Sequence, residues 1–339
     1  MTSATLDTAQ AAPSRSMQLV LDEFESLNPL PIETLTPELA RLIPLPDRAA
    51  LAVYGHHFAK KALVPFPLPL GSVEHRLLPG AEGDLLARVY TPKGDAPEIG
   101  WPLLVYFHGG GWVIADLDTY DASCRALCDG AECVVVSVHY RQAPEHPWPA
   151  APNDALAAFE WVRDHAATFA GDPARIAVAG ESAGGNLAAV VCQMLRDKGI
   201  PGPVHQLLVY PVTDLAGGPD SPSAIENEEA KPLNRAMLGW FYGHYAPEPA
   251  QRGHPYASPL HAKSFVGLPP ATVILAQIDP LRDDGQRYAD RLGTSGVDVT
   301  VETFEGATHE FFGMAGLVHE ATAAMALAAK NLRRAFGTA

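Results

Sequence analysis

The chain has 339 residues, of which 47% are hydrophobic and 19% charged, a globular composition with enough apolar residues for a large core. A formal net charge of −15 disfavours nucleic acid and anionic membrane surfaces as partners, because phosphate binding needs clustered Lys and Arg. No apolar run is long enough to span a bilayer, Met1 to Leu6 carries no signal-peptide pattern, and the four cysteines show neither zinc nor C-x-x-C spacing, so a cytoplasmic protein is expected.

Residues 1 to about 15 are polar and expected to fray. Met17 to Leu27 predicts an amphipathic helix, with Leu19, Val20, Phe24 and Leu27 on one side. A short helix follows from Pro37 to Leu42, where the proline suits a first turn, and a third lies near Arg48 to Ala62. These three read as a separate layer. Pro65 to Pro69 is a proline-rich hinge. Val73 to Leu78 and Leu85 to Thr91 alternate as strands around a turn-rich segment, which predicts an antiparallel pair. Leu103 to Phe107 is continuously apolar, as in a strand buried on both faces.

Strand and helix then alternate. Helices are predicted over Tyr120 to Asp129, Asn153 to Thr168, Asn186 to Lys198, Asp284 to Thr294 and His319 to Ala335. Strands are predicted over Val134 to Val138, Arg175 to Ala179, His205 to Pro211, Pro270 to Gln277 and Asp298 to Phe304. Cys124 and Cys128, four apart, read as buried thiols on one helix face. The alternation predicts an α/β fold whose mostly parallel sheet is covered by helices on both faces. Thr213 to about Ser264 interrupts it. That segment has no strand signal and one aromatic-rich helix, Asn234 to Tyr245, and is expected to pack with the N-terminal helices above the sheet.

Gly180-Glu181-Ser182-Ala183-Gly184 lies between a short apolar strand and a helix, the context of a nucleophile elbow. The alternative is a glycine turn that only packs a helix on a sheet. A serine needs a base, and the base an orienting group. Downstream of Ser182, Asp279 and His309 each follow a predicted strand, which would place all three at the carboxyl edge of the sheet. Asp279 before a proline also suits a helix cap. Asp283 and Asp284 compete for the acid role but fall in the first turn of the next helix.

His108-Gly109-Gly110-Gly111-Trp112 follows the buried strand and can turn backbone amides toward an oxyanion, with the amide of Ala183 as a further donor. His108 is read as shaping that loop, and Trp112 as walling a pocket or simply packing. A phosphate loop is disfavoured, since Ile114 stands where a third glycine would. His309-Glu310 begins a zinc motif, but Gly313 occupies the second ligand position, so no metal is expected.

Together these motifs, with Tyr140-Arg141-x-Ala143-Pro144-Glu145 and Phe311, resemble the hormone-sensitive-lipase-like esterases, the bacterial family IV group of α/β-hydrolases. The resemblance runs from about residue 70 to the C-terminus. It implies an α/β-hydrolase catalytic domain over 66–212 and 265–339, an N-terminal helical cap segment over 1–65 and a cap insertion over 213–264. It implies hydrolysis of a small-molecule ester through an acyl-enzyme, with no cofactor. In that scheme Ser182 is the nucleophile, His309 the base and Asp279 its partner, while the Gly109, Gly110 and Gly111 loop and Ala183 form the oxyanion hole. Members mostly prefer short acyl chains and several are dimers, so a monomer or homodimer is expected. Met237, Trp240, Phe241 and Tyr242 either line the substrate entrance or form the cap's own core.

The rival readings are amide hydrolysis or acyl transfer to an alcohol on the same triad, and a non-catalytic binder like the plant hormone receptors that resemble this family. Two departures from the family pattern stand out. Glu181 replaces the usual Asp before the nucleophile, and Glu310 replaces glycine in the common His-Gly-Phe.

Overall fold

The computed structural model describes residues 11–58 and 67–338. The start of the expected N-terminal fray, the end of the third expected helix and the first part of the proline hinge lie outside the described residues. Helix α1 (Arg15–Ser26) starts at Ser14, whose Oγ accepts the Met17 amide at 3.3 Å. Helices α2 (Pro37–Ala40) and α3 (Pro46–Val53) each open on a proline, whose fixed φ suits a first turn. Strands β1 (Ser72–Pro79) and β2 (Asp84–Thr91) pair antiparallel.

The alternation follows as β3 (Trp101–Phe107), α4 (Asp121–Ala131), β4 (Val134–His139), α5 (Ala150–Asp164), β5 (Gly171–Glu181), α6 (Ala183–Asp197) and β6 (Gln206–Val209). Helices α7 (Pro222–Glu226), α8 (Arg235–Tyr245) and α9 (Pro249–Arg252) occupy the interruption. Strand β7 (Ala271–Ile278), helix α10 (Arg282–Thr294), strand β8 (Val299–Thr308) and helix α11 (His319–Phe336) complete the chain. The strand order is β1-β2-β4-β3-β5-β6-β7-β8, and only β2 runs against its neighbours.

The predicted boundaries shift in three informative places. Helix α5 begins at Ala150, ahead of the expected start at Asn153, and ends at Asp164, short of the expected Thr168; a separate 3-10 turn holds Ala166–Phe169. Strand β6 is shorter than expected. Strand β8 is longer: after an irregularity its end pairs Ile278 with Thr308, which delivers the chain directly to His309. Local apolar pattern could not show that extension, because partners on another strand hold it.

The core lies on both faces of the sheet. Along β3, Leu103, Val105 and Phe107 enter one cluster, and Leu104 and Tyr106 the other. The same alternation separates Val134, Val136 and Val138 from Val135. Burying each such side chain fully contributes about 1.5–3 kcal/mol. The elbow itself depends on close approach. A Cβ at Gly184 would stand 1.9 Å from the Phe107 carbonyl oxygen, and one at Gly180 would stand 2.2 Å from Gly184. Glycine at both positions lets the start of α6 press on β3 and β5.

The N-terminal helices touch both the interruption and the sheet. Trp240 Nε1 donates to the Leu35 carbonyl at 3.1 Å, and Lys231 pairs with Glu25. The Ser14 amide also donates to the Gly306 carbonyl at 2.9 Å, which pins α1 to the end of β8.

Candidate active site

Ser182 stands at the turn between β5 and α6 with φ 57° and ψ −117°. Left-handed backbone at a residue with a Cβ costs on the order of 1–3 kcal/mol, and surrounding bonds must hold it. Its amide donates to the Val209 carbonyl at 2.9 Å, and its carbonyl accepts the amides of Asn186 and Val212. Asn186 then ties α6 to the interruption, donating from Nδ2 to the carbonyls of Val212 and Ala257.

Ser182 Oγ lies 3.0 Å from His309 Nε2, and His309 Nδ1 lies 2.7 Å from Asp279 Oδ2. The other Asp279 oxygen accepts the Leu281 amide at 2.8 Å. With Nδ1 against a carboxylate, the proton of the neutral ring belongs on Nδ1, which leaves Nε2 free to accept. Asp279 and His309 are buried. Burial opposes protonation of His309, but the charge and hydrogen bond of Asp279, with the charges of Glu310 and Glu181, outweigh it and raise the ring's pKa. The rival acids stand elsewhere. Asp284 Oδ2 accepts the amides of Thr213 and Asp214, both at 3.0 Å, and Asp283 Oδ2 accepts the Ser223 amide at 2.9 Å.

A cavity of about 520 Å³ opens over Ser182 and His309. Gly110 and Gly111 line it, with φ of 88° and 59°. Among the described residues the amides of Gly110, Gly111 and Ala183 donate no hydrogen bond. Gly109 faces away. Its carbonyl accepts from His108 Nδ1 at 2.9 Å, and a Cβ there would lie 2.2 Å from the Tyr120 hydroxyl. His108 is buried, stacked on Tyr140, and bonded through Nε2 to His139. Burial and the neighbouring His139 lower its pKa to about 3, so it is neutral and holds the loop.

Trp112 does both things expected of it: it lines the cavity and stacks on Tyr245 at 3.9 Å. Met237, Phe241 and Tyr242 also line the cavity. Trp240 does not. Its ring packs edge-on against Phe241 and His244 while Nε1 bonds Leu35, so it fastens the two helical segments together and does not face the entrance.

The tyrosines around the two unusual glutamates carry no motif. Glu181 is buried, and its carboxylate accepts the hydroxyls of Tyr106, at 2.6 Å, and Tyr210. Burial raises its pKa, while the hydroxyls and the His309 charge act against that rise. Glu310 Oε1 accepts the Tyr120 hydroxyl at 2.7 Å and lies 3.8 Å from His309 Nε2. Alternation along β3, which turns Tyr106 to the α4 side, was a readable signal. The arrival of Tyr120 and Tyr210 was not.

A mostly parallel eight-stranded sheet with a serine at the β5–α6 turn, backed by histidine and aspartate from the ends of β8 and β7, defines an α/β-hydrolase. The chain belongs to the family described as alpha/beta hydrolase fold, whose model matches residues 104–313, and to its hormone-sensitive-lipase-like branch. It is 44% identical over 243 residues to the carboxylic ester hydrolase LipN of Mycobacterium tuberculosis, a match covering 70% of this chain and 63% of LipN, under two thirds of that relative's length. It is 42% identical over 275 residues to the carboxylesterase NlhH of the same species, covering 79% and 84%. A hyperthermophilic esterase from Pyrobaculum calidifontis superposes with a TM-score of 0.85 at 35% identity, covering 97% of this chain and all of the other.

Proposed function

We propose that this chain is a serine carboxylesterase acting on short- to medium-chain acyl esters. The observation that carries the reading is the hydrogen-bonded run Ser182–His309–Asp279 beneath a cavity lined by Gly110 and Gly111, whose amides, like that of Ala183 beside Ser182, donate no hydrogen bond among the described residues. His309 Nε2 takes the Ser182 proton as Oγ attacks the ester carbonyl carbon. The carbonyl oxygen becomes an oxyanion and is met by the amides of Gly110, Gly111 and Ala183, each such donor contributing about 2.7–4 kcal/mol. Collapse breaks the bond to the alcohol oxygen, which takes the proton from Nε2. Water then enters, gives its proton to Nε2 and releases the acid by the same steps. Asp279 stabilises the imidazolium formed in both halves.

The chain divides on this reading into an N-terminal cap segment over 1–65, a catalytic domain over 66–212 and 265–339, and a cap insertion over 213–264. Contacts of Trp240 and Lys231 across the two cap segments support that division. All four cysteines are buried and unpaired, which supports a reducing, cytoplasmic setting. Among the described residues no helix is long and apolar enough to cross a membrane. A monomer or homodimer is the expected assembly, and light scattering distinguishes them. The decisive experiment is Ser182→Ala on a short p-nitrophenyl ester. Activity is expected to fall by about 10⁶-fold, and a variant as active as wild type overturns the mechanism.

A further inference from the structure

Glu310 occupies a position that would suit glycine. Its φ is 68°, a left-handed conformation disfavoured for any residue with a Cβ. Backbone strain of this kind gathers where the side chain it aims has a function. Two other residues hold the aim. The Tyr120 hydroxyl donates to Oε1, and the missing side chain of Gly109 leaves the room that hydroxyl occupies. Oε2 has no partner among the described residues, is not sealed from solvent, and belongs to a side chain lining the cavity with Ser182 and His309.

The position of the carboxylate says which part of an ester it meets. His309 Nε2 hands its proton to the departing alcohol oxygen. A carboxylate 3.8 Å from Nε2 therefore borders the alcohol side. We infer that Glu310 is a specificity-determining residue: it selects esters whose alcohol carries a hydrogen-bond donor, a hydroxyl or ammonium, near the ester oxygen, and it excludes alcohols bearing a carboxylate. This rests on the esterase reading above.

The groups facing Glu310 are His309 beside it, Tyr120 before α4, Glu181 at the end of β5, Tyr210 after β6 and Asp47 in α3. Burial pushes its carboxyl up to about 7 against the charge of His309. Its charge is thus present above neutral pH and lost below it. The other charged residues of the cavity wall, Glu25, Glu33, Glu229 and Lys231, belong to the two cap segments and are unchanged by substitutions at 310.

The test uses three butyrate esters of similar size: propyl, hydroxyethyl and carboxymethyl. Values of kcat/KM are measured at about pH 8 for wild type, Glu310→Gln and Glu310→Gly. The carboxymethyl-to-propyl ratio is expected to rise about tenfold in both variants, because the repelling charge is gone. The hydroxyethyl-to-propyl ratio is expected to fall about tenfold in Glu310→Gly and less in Glu310→Gln, whose amide oxygen still accepts. In wild type alone, moving from about pH 8 to about pH 6 raises the carboxymethyl ratio, since Glu310 gains a proton while the substrate stays ionised. Ratios that stay within about twofold across variants and pH overturn the inference. A wild type active on propyl butyrate with flat ratios overturns the role of Glu310 alone; one inactive on all three esters overturns the esterase reading.

Discussion

The ring of Tyr210 lies 4.4 Å from the ring of His309, and its hydroxyl donates to the carboxylate of Glu181. Glu181, the residue before Ser182, and the ring of His309 are therefore joined through one tyrosine. The extra methylene of Glu181, compared with the aspartate expected there, lets one carboxylate at the end of β5 accept both Tyr106 from β3 and Tyr210 from just past β6, the strands on either side of it.

Glu181→Asp tests that account. The shorter side chain cannot reach both hydroxyls, and a buried group is left unpaired at a cost of about 1–3 kcal/mol. A lower Tm is expected, with kcat reduced and KM little changed, because Tyr210 backs His309 and not the substrate. A Tm equal to that of wild type contradicts the shared-acceptor account.

Asp279→Asn replaces the acceptor of His309 Nδ1–H by a group that can donate, which favours the wrong tautomer. A fall in kcat of about 10⁴ is expected, with the fold intact by circular dichroism. If Asp283→Asn caused a similar loss, the acid assignment would be wrong, since Asp283 bonds the Ser223 amide instead.

Trp240 and Phe241 are neighbours with different surroundings, and they predict different phenotypes. Trp240→Phe removes the bond to Leu35 and is expected to lower Tm by loosening α8 from the N-terminal helices, with acyl-chain preference unchanged. Phe241→Ala enlarges the cavity beside Gly111 and is expected to shift preference toward longer chains. A chain-length series on both variants decides; identical shifts would refute the distinction.

Asp284 gives the stability a pH dependence. Burial raises its carboxyl to about 7, with Asp214 adding to the rise and the amides of Thr213 and Asp214 opposing it. The folded state then holds this proton more tightly than the unfolded chain does. Raising pH from about 4 to about 7 therefore favours unfolding through this group, on the order of 2–4 kcal/mol. Asp284→Asn should flatten that part of the profile and raise Tm at about pH 8. A wild-type-like slope in the variant counts against it.

The sheet was legible because its central strands are short apolar runs and its first two alternate, and Leu103 to Phe107 needed no partner to be recognised. The helix over Asn234 to Tyr245 was legible from its own spacing. The start of α5 was not, because Pro152 reads along the chain as a break although it stands in the helix's first turn, where its missing N–H costs no bond. Nor was the fate of Trp240, since an aromatic on a helix reads the same whether it faces a cavity or a neighbouring segment.

Reading along the chain was enough to pick out the residues of the site: a serine on a glycine elbow, an aspartate and a histidine after later strands, and a glycine loop after an earlier one. These are local signals, because each residue sits at a strand end and strand ends share an edge. What the chain alone leaves open is settled in three dimensions: which glycine leaves room for the Tyr120 hydroxyl, and what surrounds Glu181 and Glu310. Those outcomes depend on where Tyr106, Tyr120 and Tyr210 arrive from distant parts of the chain, and no spacing along the sequence encodes a distance through space.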